Sequence, residues 1–212
     1  MNRTSDFCEV CCTGDGCFCA RAEILDACCG GRHWWWDKAH PLAVYMDLRQ
    51  VPKGAIEVRP NWHVAPDVVG DFRAMPFKSE TFQLVLFDPP HIVRETPSES
   101  FLRQKYGELH PETEQDDLSR GFAECWRVLA PGGTLIFKWA DRLDRVEPHF
   151  PAMPIVGTRS PRGGQTRWFV FYKPVLTGAQ KQLRWMNYME AVEQEVFPDA
   201  RPRSEVWLEV ES

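Results

Sequence analysis

The chain lacks an apolar run of the roughly 20 residues that a membrane span needs, and its first residues show no signal-peptide pattern. A cytoplasmic setting is therefore expected, that of the host cell if the gene is carried by a phage. It also lacks an excess of positive charge. A formal net charge of −5 excludes a protein that coats nucleic acid by charge alone, so any such contact has to come from a local basic patch. Internal repeats and low-complexity segments are absent too, which excludes solenoids and compositional tails. With 212 residues, there is length for one sizeable core and a small appendage, with no segment long enough for a separate target-recognition domain. What is present is an ordinary globular share of hydrophobic residues, 43%, which argues against disorder.

Cysteine is not scarce, but it is unevenly placed. Cys8, Cys11, Cys12, Cys17 and Cys19 crowd into "CEVCCTGDGCFC", Cys28 and Cys29 follow in "ILDACCGG", and Cys125 stands alone. Without a secretion signal, a disulfide framework is the weaker reading. Cys8, Cys11, Cys17 and Cys19 have the thiolates for a zinc knuckle. However, the second pair is spaced more tightly than the usual C-x-x-C ribbon and no histidine is near. The alternative is a flexible, reduced tail, and no metal site is assigned.

From residue 22 the pattern becomes that of an α/β domain. Seven strands are expected: "EILDACC", "LAVYMD", "PDVVGDF", "FQLVLFD", "GTLIFKW", "MPIVG" and "RWFVFYK". Several are nearly continuous apolar runs, as in strands covered on both faces. A helix is expected over 116–130, where Leu118, Phe122, Cys125, Trp126 and Leu129 fall at helical spacing and Pro131-Gly132-Gly133 follows as a stop. A second helix is expected over 178–197. The domain reading is a Cys-rich extension at 1–21, a core domain at 22–174, and a helix and tail at 175–212.

In an open, mostly parallel sheet, ligands gather at the carboxyl ends of the strands. Four successive strands carry an acid at or near that end, namely Asp26, Asp47, Asp71 and Asp88. Such carboxylates repel one another unless donors lie between them, so the crevice is expected to take a ligand rich in hydroxyl, amino or cationic groups. Gly30-Gly31 after the first strand either lets a ligand approach the backbone or is a plain turn. Asp47 stands where a carboxylate takes ribose hydroxyls in dinucleotide sites. Asp71 can accept from an exocyclic amine with Phe72 packed on the ring, or can cap a turn. Trp34, Trp35 and Trp36 are read as core or wall, because three adjacent side chains on a helix cannot face one ligand.

"FDPPH" is the most pointed feature. Pro89 and Pro90 fix the backbone just past the strand and donate no N–H, while their carbonyls remain acceptors. The Asp88 carboxylate and the Pro89 carbonyl thus form a rigid acceptor pair suited to an amine with two N–H bonds. Holding both hydrogens draws the nitrogen lone pair out of conjugation and aims it at an electrophile. His91 would stack on or cap the ring that bears the amine. The polar connection 93–115, with Phe101, Lys105 and Tyr106-Gly107, reads as a lid. Arg159, Arg162, Arg167 and Lys173 form either a phosphate-contacting face or a solvated hairpin.

The series "ILDACCGG", "VYMD", "VVGDF", "LVLFDPPH", "RVLAPGGTLIFKW" resembles the class I, Rossmann-like S-adenosylmethionine-dependent methyltransferases. "FDPPH" resembles the Asp-Pro-Pro-aromatic motif of those that methylate exocyclic nucleobase amines. The combination with an aromatic run before Asp37-Lys38, "KYG" and "TRWFVFYK" is similar to small phage and prophage methyltransferases. The likeness covers about 23–173. It implies a seven-stranded, mostly parallel sheet with an antiparallel last strand and helices on both faces. It implies S-adenosyl-L-methionine as cofactor, with Asp26, Cys28, Gly30 and Gly31 at its methionine end, Asp47 on the ribose, and Asp71 and Phe72 on the adenine. Asp88, Pro89, Pro90 and His91 would hold the target amine, also facing the cofactor through Asp88. The implied activity is N-methylation of adenine N6 or cytosine N4, with DNA preferred to RNA as partner and no membrane. The alternatives are RNA or small-molecule methylation, or an inactive binding module. Two departures stand out: Arg32 replaces a further glycine of the first motif, and His91 replaces tyrosine, phenylalanine or tryptophan.

Overall fold

The computed structural model describes residues 22–93, 101–140, 146–157 and 166–175. The Cys-rich stretch and the helix expected over 178–197 lie outside the described residues, as do Arg159 and Arg162. The strands are β1 (Ile24–Asp26), β2 (Ala43–Asp47), β3 (Val68–Val69), β4 (Phe82–Phe87), β5 (Leu129–Trp139), β6 (Val156–Gly157) and β7 (Arg167–Tyr172). They form one seven-stranded sheet in the order β3-β2-β1-β4-β5-β7-β6. Pairs from β3 through β5 are parallel, and β7 runs antiparallel to both β5 and β6. The chain therefore has the Rossmann-like architecture expected, with its order reversing between β1 and β4. That reversal is where an open sheet leaves a crevice.

The apolar runs map onto the burial they imply. Leu25, Met46, Val85 and Phe87 are buried in the central strands. β7 alternates, with Arg167, Phe169 and Phe171 inward and Trp168 and Tyr172 exposed, the period-two pattern of a strand covered on one face. Helix α2 (Glu114–Val128) packs on β4 and β5 through Leu118, Phe122, Cys125 and Val128. Its Phe122 ring lies 4.8 Å from Phe137 and 5.3 Å from Phe87. Truncating such a ring typically costs about 3–5 kcal/mol. Gly121 makes the approach possible: a Cβ there would stand 2.7 Å from Phe87 Cζ and 2.8 Å from Phe72 Cδ2.

Several boundaries differ from the sequence reading. α2 begins and ends two residues earlier than expected. Its last carbonyls are taken by other groups: Arg127 and Val128 accept from the amides of Glu80 and Thr81, and Lys173 Nζ donates to the carbonyls of Trp126 and Leu129 at 2.8 Å each. Leu129 is already extended and paired with Phe82, so Pro131-Gly132-Gly133 lies inside β5 rather than before it. β1 and β3 are shorter than their apolar runs, and β3 stops at Val69, two residues before Asp71. The connections β1–β2, β2–β3 and β3–β4 are turns without helix.

Candidate active site

A cavity of about 840 Å³ opens at the carboxyl ends of the parallel strands, a size suited to a cofactor-sized ligand. Ala27 and Cys28 line it after β1, Asp47 and Arg49 after β2, Asp71 to Arg73 after β3, and Asp88 with Pro90 after β4. The far wall is the segment after Pro90, where α1 (Phe101–Tyr106) ends. Tyr106, Gly107, Glu108, Leu109 and His110 face the cavity there. This wall is tied back to the strand end, because Leu109 N donates to Ile92 O at 2.8 Å. The structure thus brings Cys28, Asp47, Asp71, Phe72, Asp88 and Pro90 to one cavity.

The carboxylates are held in two ways. Asp47, buried at the end of β2, accepts the Gly30 amide at 2.9 Å and both the amide and Nε of Arg49, at 2.9 and 3.1 Å. Gly30, at φ 47°, makes the left-handed turn that aims this amide. Arg73 embraces Asp71 at 2.6–3.0 Å and reaches Asp117 of α2 at 2.8 Å, which holds the Asp71 carboxyl below the usual carboxylate range. The turn after β3 is thereby locked to α2, and Phe72 is seated between them.

Asp26 and Asp88 are bound by the tryptophan run instead. Trp35 Nε1 donates to Asp26 at 2.8 Å, and Trp34 Nε1 donates to Asp88 Oδ2 at 3.0 Å. The run lies in a turn rather than a helix, so its side chains diverge and Trp36 is left fully exposed. The core-or-wall reading fails for exposed Trp36, while Trp34 and Trp35 are half-buried and serve as donors to Asp88 and Asp26. Lys138 Nζ completes the Asp88 site at 2.5 Å from the same oxygen. Burial pushes Asp26 up to about 7 despite the indole and the Cys28 amide that oppose the shift. Burial, followed by the charge of Asp47, pushes the Cys28 thiol well up, so Cys28 contributes its backbone and shape rather than a thiolate.

The other expected residues are placed nearby but off the cavity lining. Asp26 lies beneath Trp35, Gly31 packs against Trp62 and His33, and Pro89 is buried. His91 is half-buried, its ring 6.1 Å from Tyr106 and 6.3 Å from Trp139. Arg32, at the departure from the glycine pattern, takes φ 55°. Its guanidinium sits 3.6 Å over the Tyr45 ring and donates to Ala65 O at 2.8 Å, contacts that offset the strain of a left-handed non-glycine residue. The expected basic face is revised where it is described: Arg167 is buried, and Lys173 closes the end of α2. Among the described residues no cluster of His, Cys, Asp or Glu is arranged to hold a metal ion, and no helix is long and apolar enough to cross a membrane.

The donor and acceptor chemistry fits an adenosyl sulfonium. Asp47, Asp71 and Asp88 supply acceptors and negative charge along the wall, Phe72 supplies a flat apolar face, and Ala27-Cys28 supply backbone. No family model matches the chain, and no curated protein matches it. Solved structures similar to it include the PH0226 protein of Pyrococcus horikoshii OT3, with 17% identity and a TM-score of 0.45 over 73% of this chain and 82% of that one. TrmN from Thermus thermophilus has 17% identity and a TM-score of 0.45 over 72% of this chain and 44% of that one. A TehB-like SAM-dependent methyltransferase from Corynebacterium glutamicum has 18% identity and a TM-score of 0.42 over 72% and 80%.

Proposed function

We propose that the protein is an S-adenosylmethionine-dependent N-methyltransferase acting on an exocyclic amine of a nucleobase, in DNA by preference. The observation that carries this reading is the placement of Asp88-Pro89-Pro90. Asp88 and Pro90 line the cavity at the reversal point of the sheet, with Gly107 packed against Pro90. When bound, S-adenosylmethionine supplies a methyl group on a sulfonium. Asp47 orients the sugar, Phe72 and the Asp71 turn hold the adenine, and the acid-lined wall favours the positive sulfur. Asp88 would accept from the amine, and Pro89 and Pro90 would hold that acceptor in place so that the nitrogen lone pair is directed at the methyl group. Asp88 would take up the proton that the amine gives up on methylation and pass it to solvent. The lid segment and the stiff prolines exclude water from this line of approach. A target in duplex DNA would have to leave the stack first.

The test is to incubate the protein with methyl-labelled S-adenosylmethionine and unmethylated DNA, RNA or nucleosides, then digest and identify the labelled nucleoside. Label on adenine N6 or cytosine N4 of DNA is expected. Label on RNA alone would move the substrate, and its absence from every nucleobase, with cofactor binding intact, would overturn the reading.

A further inference from the structure

Beside Asp88, three residues from distant parts of the chain meet. Trp34 comes from the turn after β1, Lys138 from β5, and Trp168 from β7, where it pairs with Lys138 in register. The two indoles approach to 4.5 Å between centroids at 54°. The Lys138 ammonium lies 5.5 Å from the Trp34 ring and 6.0 Å from the Trp168 ring. Both Trp34 Nε1 and Lys138 Nζ donate to Asp88 Oδ2. Lys138 and Asp88 keep only 19% and 21% of their side-chain surface, whereas Trp168 remains 41% exposed. A cation held beside the acceptor, next to a part-exposed indole, is more than strand packing requires.

We infer that Lys138, Trp34 and Trp168 form a specificity element that reads the amine-plus-ring-nitrogen edge of a stacked base. This deepens the proposed nucleobase activity and rests on it. The amine N–H donates to Asp88, and the ring nitrogen beside the amine-bearing carbon accepts from Lys138, whose ammonium has donors beyond the one spent on Asp88. The exposed face of Trp168 carries the base. Adenine and cytosine present this donor-beside-acceptor edge. An alkyl amine, cationic at neutral pH, would meet the Lys138 charge at the same place and be repelled. Lys138 thus selects neutral aromatic amines, and Trp34 fixes Asp88 while closing one side of the platform.

The test uses single-stranded oligonucleotides in which the labelled base is replaced by its deaza analogue, 1-deazaadenine or 3-deazacytosine, with 7-deazaadenine as the control that keeps the nitrogen beside the amine. Wild type should lose about 10- to 100-fold in kcat/KM with the analogue that removes the ring nitrogen facing Lys138. Lys138→Met should lose a similar factor on the natural base and nothing further on that analogue. Trp168→Ala should raise KM with little change in kcat, and Trp168→Phe should restore most of it. Without turnover, quenching of a 2-aminopurine oligonucleotide on binding should weaken in Trp168→Ala. Equal deaza sensitivity in Lys138→Met and wild type would overturn the inference while leaving the methyltransferase reading intact. So would wild type that is indifferent to every deaza analogue, a result that stands even if the variant fails to fold. Absence of label from adenine and cytosine altogether would remove both.

Discussion

Asp47 and Asp71 each find a counter-charge two residues further along the chain, in Arg49 and Arg73. Asp26 and Asp88 have no such neighbour and are held by the indoles of Trp35 and Trp34, with Lys138 arriving from another strand. The difference is one of charge and of reach. A guanidinium in the same turn keeps a carboxylate ionised and makes a local clamp. A neutral indole brings no charge, so burial carries Asp26 up to about 7 although the Trp35 bond opposes it, while the Arg73 guanidinium holds Asp71 low. The arginine-clamped pair lines the cavity. The indole-held pair lies at the centre of the sheet, where a carboxylate has to remain responsive to what binds beside it.

The comparison breaks most sharply at Asp88. Asp88→Ala should reduce turnover by about 1,000-fold or more, because it removes the acceptor proposed for the reacting amine. Binding of S-adenosylhomocysteine, followed by calorimetry, should change only a few-fold. On the arginine side, Asp47→Ala should do the reverse, weakening that binding by about 10-fold or more and affecting turnover mainly at low cofactor concentration.

Stability separates the two kinds of clamp next. Trp35→Phe leaves a buried carboxyl without its side-chain donor and should destabilise the protein by about 1–3 kcal/mol in urea unfolding. Arg73→Met breaks its ion pairs to Asp71 and to buried Asp117, and should cost about 1–3 kcal/mol, less at high salt. Equal salt dependence of the two losses would contradict the contrast drawn between them.

The most diagnostic effect is the pH dependence. The native state holds the Asp26 proton up to about pH 7, whereas the unfolded chain releases it at roughly pH 4. Across that window the native state binds more protons, so this group's contribution to stability falls as pH rises and then levels off. Asp26→Asn should remove that slope. The variant's Tm should gain on wild type between pH 5 and 8 by the difference assigned to this one group, and parallel curves would place the titration elsewhere.

Much of this was legible in the chain itself. Apolar runs ending in acids located β2 and β4 and the end of the sheet where a ligand sits, because burial on both faces demands such runs. Helical spacing located α2, though its ends were set by Glu80, Thr81 and Lys173, which lie far away in sequence. The spacing Asp-x-Arg occurs after both β2 and β3 and is the one unused signal that would have found Arg49 and Arg73. For Trp34 and Trp35 the signal misled, since assuming a helix fixed where their side chains would point.

By itself the sequence determined the sheet, the acids at its edge and the stiff Asp88-Pro89-Pro90 corner, because periodicity, burial and proline geometry act over a few residues. The tertiary structure alone decided which acid is ionised, which indole answers which carboxylate, and that Lys138 and Trp168 stand beside Asp88. Those partners are separated from it by 50 residues or more, and only the β4–β5–β7 register and the turn after β1 bring their donors within hydrogen-bond and ring-contact range.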